Sequence, residues 1–416
     1  MRPMSLPWKQ LLLCGCLIIG VLTAPAWTQT PVTAIATPAA AASSQPQLTV
    51  SKRGVLLSWI ERAGDLATLK FAERTATGWT PAVTVASGRD WFVNWADVPS
   101  VLRLPSGTIV AHWLQKSAAS TYAYDVRLSY STDDGKTWSK SFTPHHDGTP
   151  TEHGFASMFP LGDGLGLVWL DGRGTTPEGA KPAEHSEHGG GGAMSVRFAR
   201  FDKTFKQLEE SVVDARVCEC CPTTAAVTAE GIITAFRNRS DDEVRDNYVS
   251  RFVNGKWSTP QAVFNDGWKI AACPVNGPSL SANGNQVAMT WFTVKKQGEN
   301  EQGQAYAAFS QDAGKTFGKP IRVDDGGTLG RVDIEMFPDG SALASWIEFA
   351  DQRAQFRSRR IESNGTRAPA ITIAGIAGSR SSGYPRAALA NGEVIYAWTE
   401  STDGGGLRVQ TASAKH

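Results

Sequence analysis

Past its N-terminal segment this chain has no stretch of ten residues in which apolar side chains recur every three or four positions. That absence leaves strands as the building unit. No apolar run beyond residue 22 is long enough to cross a bilayer. An excess of one charge is missing as well, with 41 Lys and Arg against 40 Asp and Glu. Such a balance gives no footing for nucleic acid or an anionic membrane surface. Cysteine is scarce, six in 416 residues, and confined to short segments.

The N-terminus carries Arg2 and Lys9, then LLLCGCLIIGVL (11–22), then Ala24-Pro25-Ala26. This order predicts a signal peptide over residues 1–26, and export to the periplasm or the medium. Removing Arg2 and Lys9 turns 41 basic residues into 39, against 40 acidic, so the mature net charge is −1.

What is present is a repeat. Trp59, Trp113, Trp169, Phe236, Trp291, Trp346 and Trp398 stand 54, 56, 67, 55, 55 and 52 residues apart. Each closes a Gly or Asn turn and a short apolar run, as in RGVLLSW, SGTIVAHW and DGSALASW. A period near fifty denotes stacked copies of one unit that cannot bury its apolar face alone. Each copy reads as four short strands with alternating polarity, and meanders of this kind repeated seven times predict an all-β propeller.

The seventh copy runs out after its third strand, near 407–412. The segment TPVTAIA (30–36) has the form of the fourth strands TPAVTVA (80–86) and APAITIA (368–374). It is therefore expected to complete the last blade and close the ring, which removes an exposed edge. Residues 27–46 then hold the closing strand and a linker, and 47–416 the propeller. The 67-residue gap reflects TTPEGAKPAEHSEHGGGGA (175–193), a surface insertion between the second and third strands of its unit. Its His185 and His188, with Glu184 and Glu187, read either as a solvated loop or as metal ligands.

After loss of Cys14 and Cys16 four cysteines remain. Cys218, Cys220 and Cys221 lie in VCECCPT and Cys273 in AACPVNGP, the links that enter units 4 and 5. In an oxidising compartment four cysteines suggest two disulfides. Adjacent cysteines pair only with strain. The alternative is a thiolate site for copper or zinc.

SYSTDDGKTW (129–138) and FSQDAGKTF (309–317) carry Ser-x-Asp-x-Gly-x-Thr followed by Trp or Phe. They resemble the Asp box of bacterial neuraminidase (BNR) repeats. The whole chain is similar to secreted bacterial proteins labelled sialidase-like or exo-α-sialidase, which share the CxCC and CPVNGP segments. Sialidases have six blades, whereas seven units are counted here, so six is the alternative. The box itself is a turn device between third and fourth strands.

Strand direction places residues just past each Trp on the same face as the links between units, and the Asp boxes on the opposite face. The first face collects Asp97, His145, His146, His153, Asp171, Arg173, Arg237, Arg239, Lys269, Arg331, Glu348, Arg380, Tyr384, Arg386, Glu400 and the four cysteines. The resemblance implies a glycosidase acting on sialic-acid-type or other acidic glycans. It would use Arg173, Arg237 and Arg331 as a carboxylate clamp, Tyr384 as nucleophile with Glu348 or Glu400 as its base, and Asp97 as acid. The family's Phe/Tyr-Arg-Ile-Pro motif has no counterpart, since Asp97-Val98-Pro99 carries no arginine. Two other readings stay open: a propeller that binds a glycan or protein without catalysis, and an envelope metal-binding or redox protein built on the cysteines.

Overall fold

The computed structural model describes residues 31–175, 192–298, 300–402 and 405–415. The leader over 1–26 and the histidines of the 175–193 insertion lie outside them. Each Trp strand is flanked on both sides by antiparallel partners, as alternating sequences joined by tight turns require. Seven such sheets form seven blades of a propeller. In the second blade the outer position shrinks to one bridge, Phe142 against Leu128. The outer strands of blades 4 and 5 are also brief, with pairs at Gln261–Ala262 and Ile321–Arg322.

The repeated aromatics sit where blades meet, and all seven are at most 7% exposed. Trp169, Leu165 and Leu167 of blade 3 pack on Val110, Leu114, Val126 and Leu128 of blade 2. The core is thus sheet packed on sheet around the ring. A carboxylate two residues on accepts the indole N–H in three blades: Glu61 for Trp59 at 2.9 Å, Asp171 for Trp169 at 2.9 Å and Glu348 for Trp346 at 2.8 Å.

The ring closes as expected. Thr33–Ile35 pairs antiparallel with Leu407–Lys415, Ile35 opposite Thr411. The linker is shorter than the sequence suggests, because the entering strand of blade 1 starts at Ser43. The Ser43 hydroxyl also accepts the Val409 N–H at 3.0 Å and joins first blade to last.

Both Asp-box turns are built alike. Asp133 accepts the backbone N–H of Thr137 at 2.9 Å and its hydroxyl at 2.7 Å, and Asp312 does the same for Thr316 at 2.9 and 2.7 Å. Hydrogen bonds from Thr137 hold the Asp133 carboxyl down at about 2. Gly135 sits at φ 85°, where a side chain would be strained. Trp138 meets Phe71 of blade 1 edge to face, 6.3 Å between centroids.

Candidate functional site

The entering strands converge on a polar central channel whose wall includes Asp97, Ser100, Ser157, Asp333, Glu335 and Arg386. Asp97 anchors a buried chain of acids there. Its Oδ1 accepts the Phe155 N–H at 2.7 Å. The Tyr124 hydroxyl lies 2.9 Å from Asp97 Oδ2 and 2.7 Å from Glu152 Oε1. One phenolic hydrogen cannot serve two carboxylates, so one carboxyl must carry a proton to complete the pair of bonds. Burial pushes Asp97 up to about 7. Burial, with the Asp97 charge added, pushes Glu152 up to about 8. Burial and the two carboxylates raise the Tyr124 phenol well above its ordinary range. Gly154 makes room, since a Cβ there would lie 2.0 Å from Asp97 Oδ2. Across the channel, Arg386 has Asp333 at 4.0 Å and lies over the Tyr384 ring at 5.3 Å. Asp333 is occupied by the Ser279 hydroxyl at 2.8 Å and the Ala387 N–H at 3.0 Å, so its hold on Arg386 is loose.

The clamp suggested by resemblance does not assemble. Arg237 is buried and spends its donors on carbonyls: Asn276 at 3.0 and 2.7 Å, Arg245 at 2.6 Å and Phe292 at 2.7 Å. Trp268 covers its guanidinium at 5.0 Å. The Arg331 guanidinium bonds the carbonyls of Ser379 and Gly383 and the Ser382 hydroxyl, and stacks 4.7 Å from the centre of Trp95. Arg173 forms a two-pronged pair with Asp171 at 2.7 and 2.8 Å. The Tyr384 hydroxyl donates to the Val275 carbonyl at 2.6 Å, and burial pushes its pKa up. Glu348 serves Trp346, Asp325 and Arg357 and makes no bond to Tyr384. Glu400 accepts from Gln410. Of the six residues only Asp97 and Tyr384 line the channel, and the Tyr384 hydroxyl is turned to the Val275 carbonyl.

Three of these residues meet on one link instead. Arg237 holds the Asn276 carbonyl, the Arg331 N–H donates to Asn276 Oδ1 at 2.7 Å, and Tyr384 holds Val275. That link carries Cys273. It packs against the CxCC turn so closely that a Cβ on Gly277 would lie 2.1 Å from the Pro222 carbonyl. Cys218 Sγ stands 3.4 Å from Cys221 Sγ and 3.9 Å from Cys220 Sγ. Cys220 faces Cys273. No disulfide joins the four.

A second cluster sits between blades 2 and 3. The imidazoles of His145 and His153 stack 3.8 Å apart at 6°, among Asp125, Asp147 and Asp171. One ion cannot lie in both ring planes, so the two histidines do not share a metal in this arrangement. Burial pulls His153 down, but Asp147 and the charges of Asp171 and Asp125 leave it raised overall. Sequence reading missed Tyr124 and Glu152, which carry no motif. The Trp-x-acid spacing of 59–61, 169–171 and 346–348 was a usable sign that those carboxylates serve the indoles.

No family model matches the chain by sequence, and no curated protein does. Among solved structures, the polysaccharide lyase Uly1 superposes with a TM-score of 0.53 at 12% identity, over 90% of each chain. The NanB sialidase of Streptococcus pneumoniae gives 0.47 at 10% identity, over 92% of this chain and 94% of that one. A Trypanosoma rangeli sialidase gives 0.46 at 11%, over 82% and 57%. The likeness to the lyase establishes the fold: this is a protein of the β-propeller class. Among the described residues no helix is long and apolar enough to cross a membrane.

Proposed function

We propose that this chain is an exported propeller that acts on an acidic glycan in its central channel. The observation that carries the reading is the Asp97–Tyr124–Glu152 chain, a proton-bearing acid group on the channel wall. Such a group suits general acid catalysis, because its raised pKa keeps a proton available near neutrality. Asp97 gives its proton to the glycosidic oxygen as the bond to the anomeric carbon breaks, a water adds to that carbon, and the proton the water releases resets the Asp97–Tyr124–Glu152 relay. Arg386, loosely held by Asp333, pairs with the substrate carboxylate. The resemblance to sialidase-like proteins supports a glycan as the substrate class. Arg173, Arg237 and Arg331 act in this reading as scaffold.

The test is turnover of fluorogenic sialosides and uronides between pH 4 and 8 by the exported protein. Asp97→Asn should lower kcat about 100-fold or more, as loss of a general acid does. Activity of the wild type should fall above about pH 7 as Asp97 loses its proton. Binding of acidic glycans without turnover would make the channel a recognition site only. Neither binding nor turnover would sink the reading.

A further inference from the structure

We propose that Cys218, Cys220 and Cys221, with Cys273 facing Cys220, form a binding site for a thiophilic d10 ion, Cu(I) or Zn(II). The site is separate from the channel acids and does not depend on glycan chemistry.

Geometry comes first. The three sulfurs of the CxCC turn lie within 4.8 Å of one another, the nearest pairs at 3.4 and 3.9 Å. Thiolates around one ion at about 2.3 Å stand roughly 3.8–4.0 Å apart. A shift of a few tenths of an ångström would seat the ion. Three converging sulfurs suit Cu(I), and a fourth from Cys273 would close the tetrahedron zinc takes.

The surroundings fit thiolates. Arg245 Nη1 lies 3.1 Å from Cys218 Sγ, and the Asn276 N–H points at Cys221 Sγ from 3.4 Å. Donors of this kind orient metal-bound sulfur and offset its charge. Cys218 and Cys221 are each 1% exposed, which shields them from casual oxidation. A small pocket lined by Glu219, Arg239, Glu243, Arg245 and Cys273 opens beside them and gives an ion a way in.

The supports point the same way. Arg237, Arg331 and Tyr384 fix the 275–276 link, and Gly277 lets it press on Pro222. Two large buried side chains, Arg237 and Tyr384, and the Arg331 backbone N–H are spent on one short link and hold two loops in fixed register. A preorganised ligand set needs that rigidity.

The experiment uses the exported full chain, purified without chelator and under nitrogen. Metal analysis should find one copper or zinc per chain. Iodoacetamide should leave the four thiols unlabelled until a chelator is added. Competition against a Cu(I)-specific chelator and, separately, a zinc indicator tells the two ions apart. Cys220→Ser should weaken the tighter ion at least 100-fold, and Arg245→Met about tenfold. Asp97→Asn should bind metal as the wild type does, so failure of the channel reading leaves this one standing. If the serine variant does not fold, the wild-type labelling and sulfur coordination seen by X-ray absorption decide. Two disulfides with no thiol and no metal overturn the proposal. So does rapid labelling of protein incubated with one equivalent of either ion.

Discussion

At the residue scale, Arg237 shows why a position read from sequence can mislead. It directly follows a core strand, where a side chain turns either to solvent or inward. Inward, it meets three buried carbonyls, those of Asn276, Arg245 and Phe292. Arg237→Ala should therefore unfold the protein more readily, by about 3 kcal/mol or more, since each orphaned buried carbonyl costs about 1–3 kcal/mol. Urea titration checks this, and an unchanged midpoint would show the carbonyls find other donors. Asp97 gives a pH signature. Its folded pKa is about 7, against about 3.9 when unfolded. Between those values the native state holds a proton the unfolded chain has released, so stability falls as pH rises, by up to about 1.4 kcal/mol per pH unit. Below about pH 4 this contribution is fully present. Asp147 and Asp171, whose carboxyls sit below their ordinary range, act oppositely at the acid end. Asp97→Asn should flatten the slope between pH 4 and 7, and an equal slope in both proteins would mean the carboxyl is ionised throughout. Asp97 was legible from its place in an entry link. Tyr124 and Glu152 were not, because a tyrosine on a core strand looks the same whether it packs or shares protons.

At the element scale the closing strand was readable and the outer strands less so. TPVTAIA matched the other fourth strands in form and in its distance to the next Trp. A chain begun at Thr37 lacks Thr33–Ile35 and leaves the Leu407–Lys415 edge unpaired. Its melting temperature should drop, with a loss of several kcal/mol expected for a missing paired strand. An unchanged melt would mean the edge needs no cover. The segments at 259–265 and 319–325 read as full strands, yet each pairs over two residues. An outermost strand has one neighbour and one wet side, so its composition says little about pairing length. Gly277→Ala tests the contact between links. A Cβ 2.1 Å from the Pro222 carbonyl must push them apart, so thiol labelling should quicken while Asp97-dependent activity persists. Labelling as slow as in the wild type would show the links yield without opening.

At the scale of the whole molecule, the period of the aromatics was enough to count the blades, because every interface repeats the same packing problem. The site was harder to read. A ring brings seven links to one face, and the spacing cannot say which side chains turn to the channel and which fasten one link to the next. Arg386 is the clearest case. Its place in an entry link put it on the site face with many others and nothing set it apart from them, yet it reaches the channel with a loose partner. Arg386→Ala should raise KM for an acidic glycan about tenfold or more with kcat little changed, provided it serves binding. A fall in kcat alone would assign it elsewhere.

The pairing of Thr33–Ile35 with the final strand also sets an order of events in time. The Thr411 hydroxyl and the Ile35 carbonyl it bonds are 376 residues apart in the chain. Bringing such distant segments together is entropically costly and slow. A nascent chain that has not reached Leu407 can complete six blades and hold the strand meant for the seventh, but it cannot lock the ring. Protection of the Glu393–Ser401 amides in pulsed hydrogen exchange should therefore appear last, and all at once.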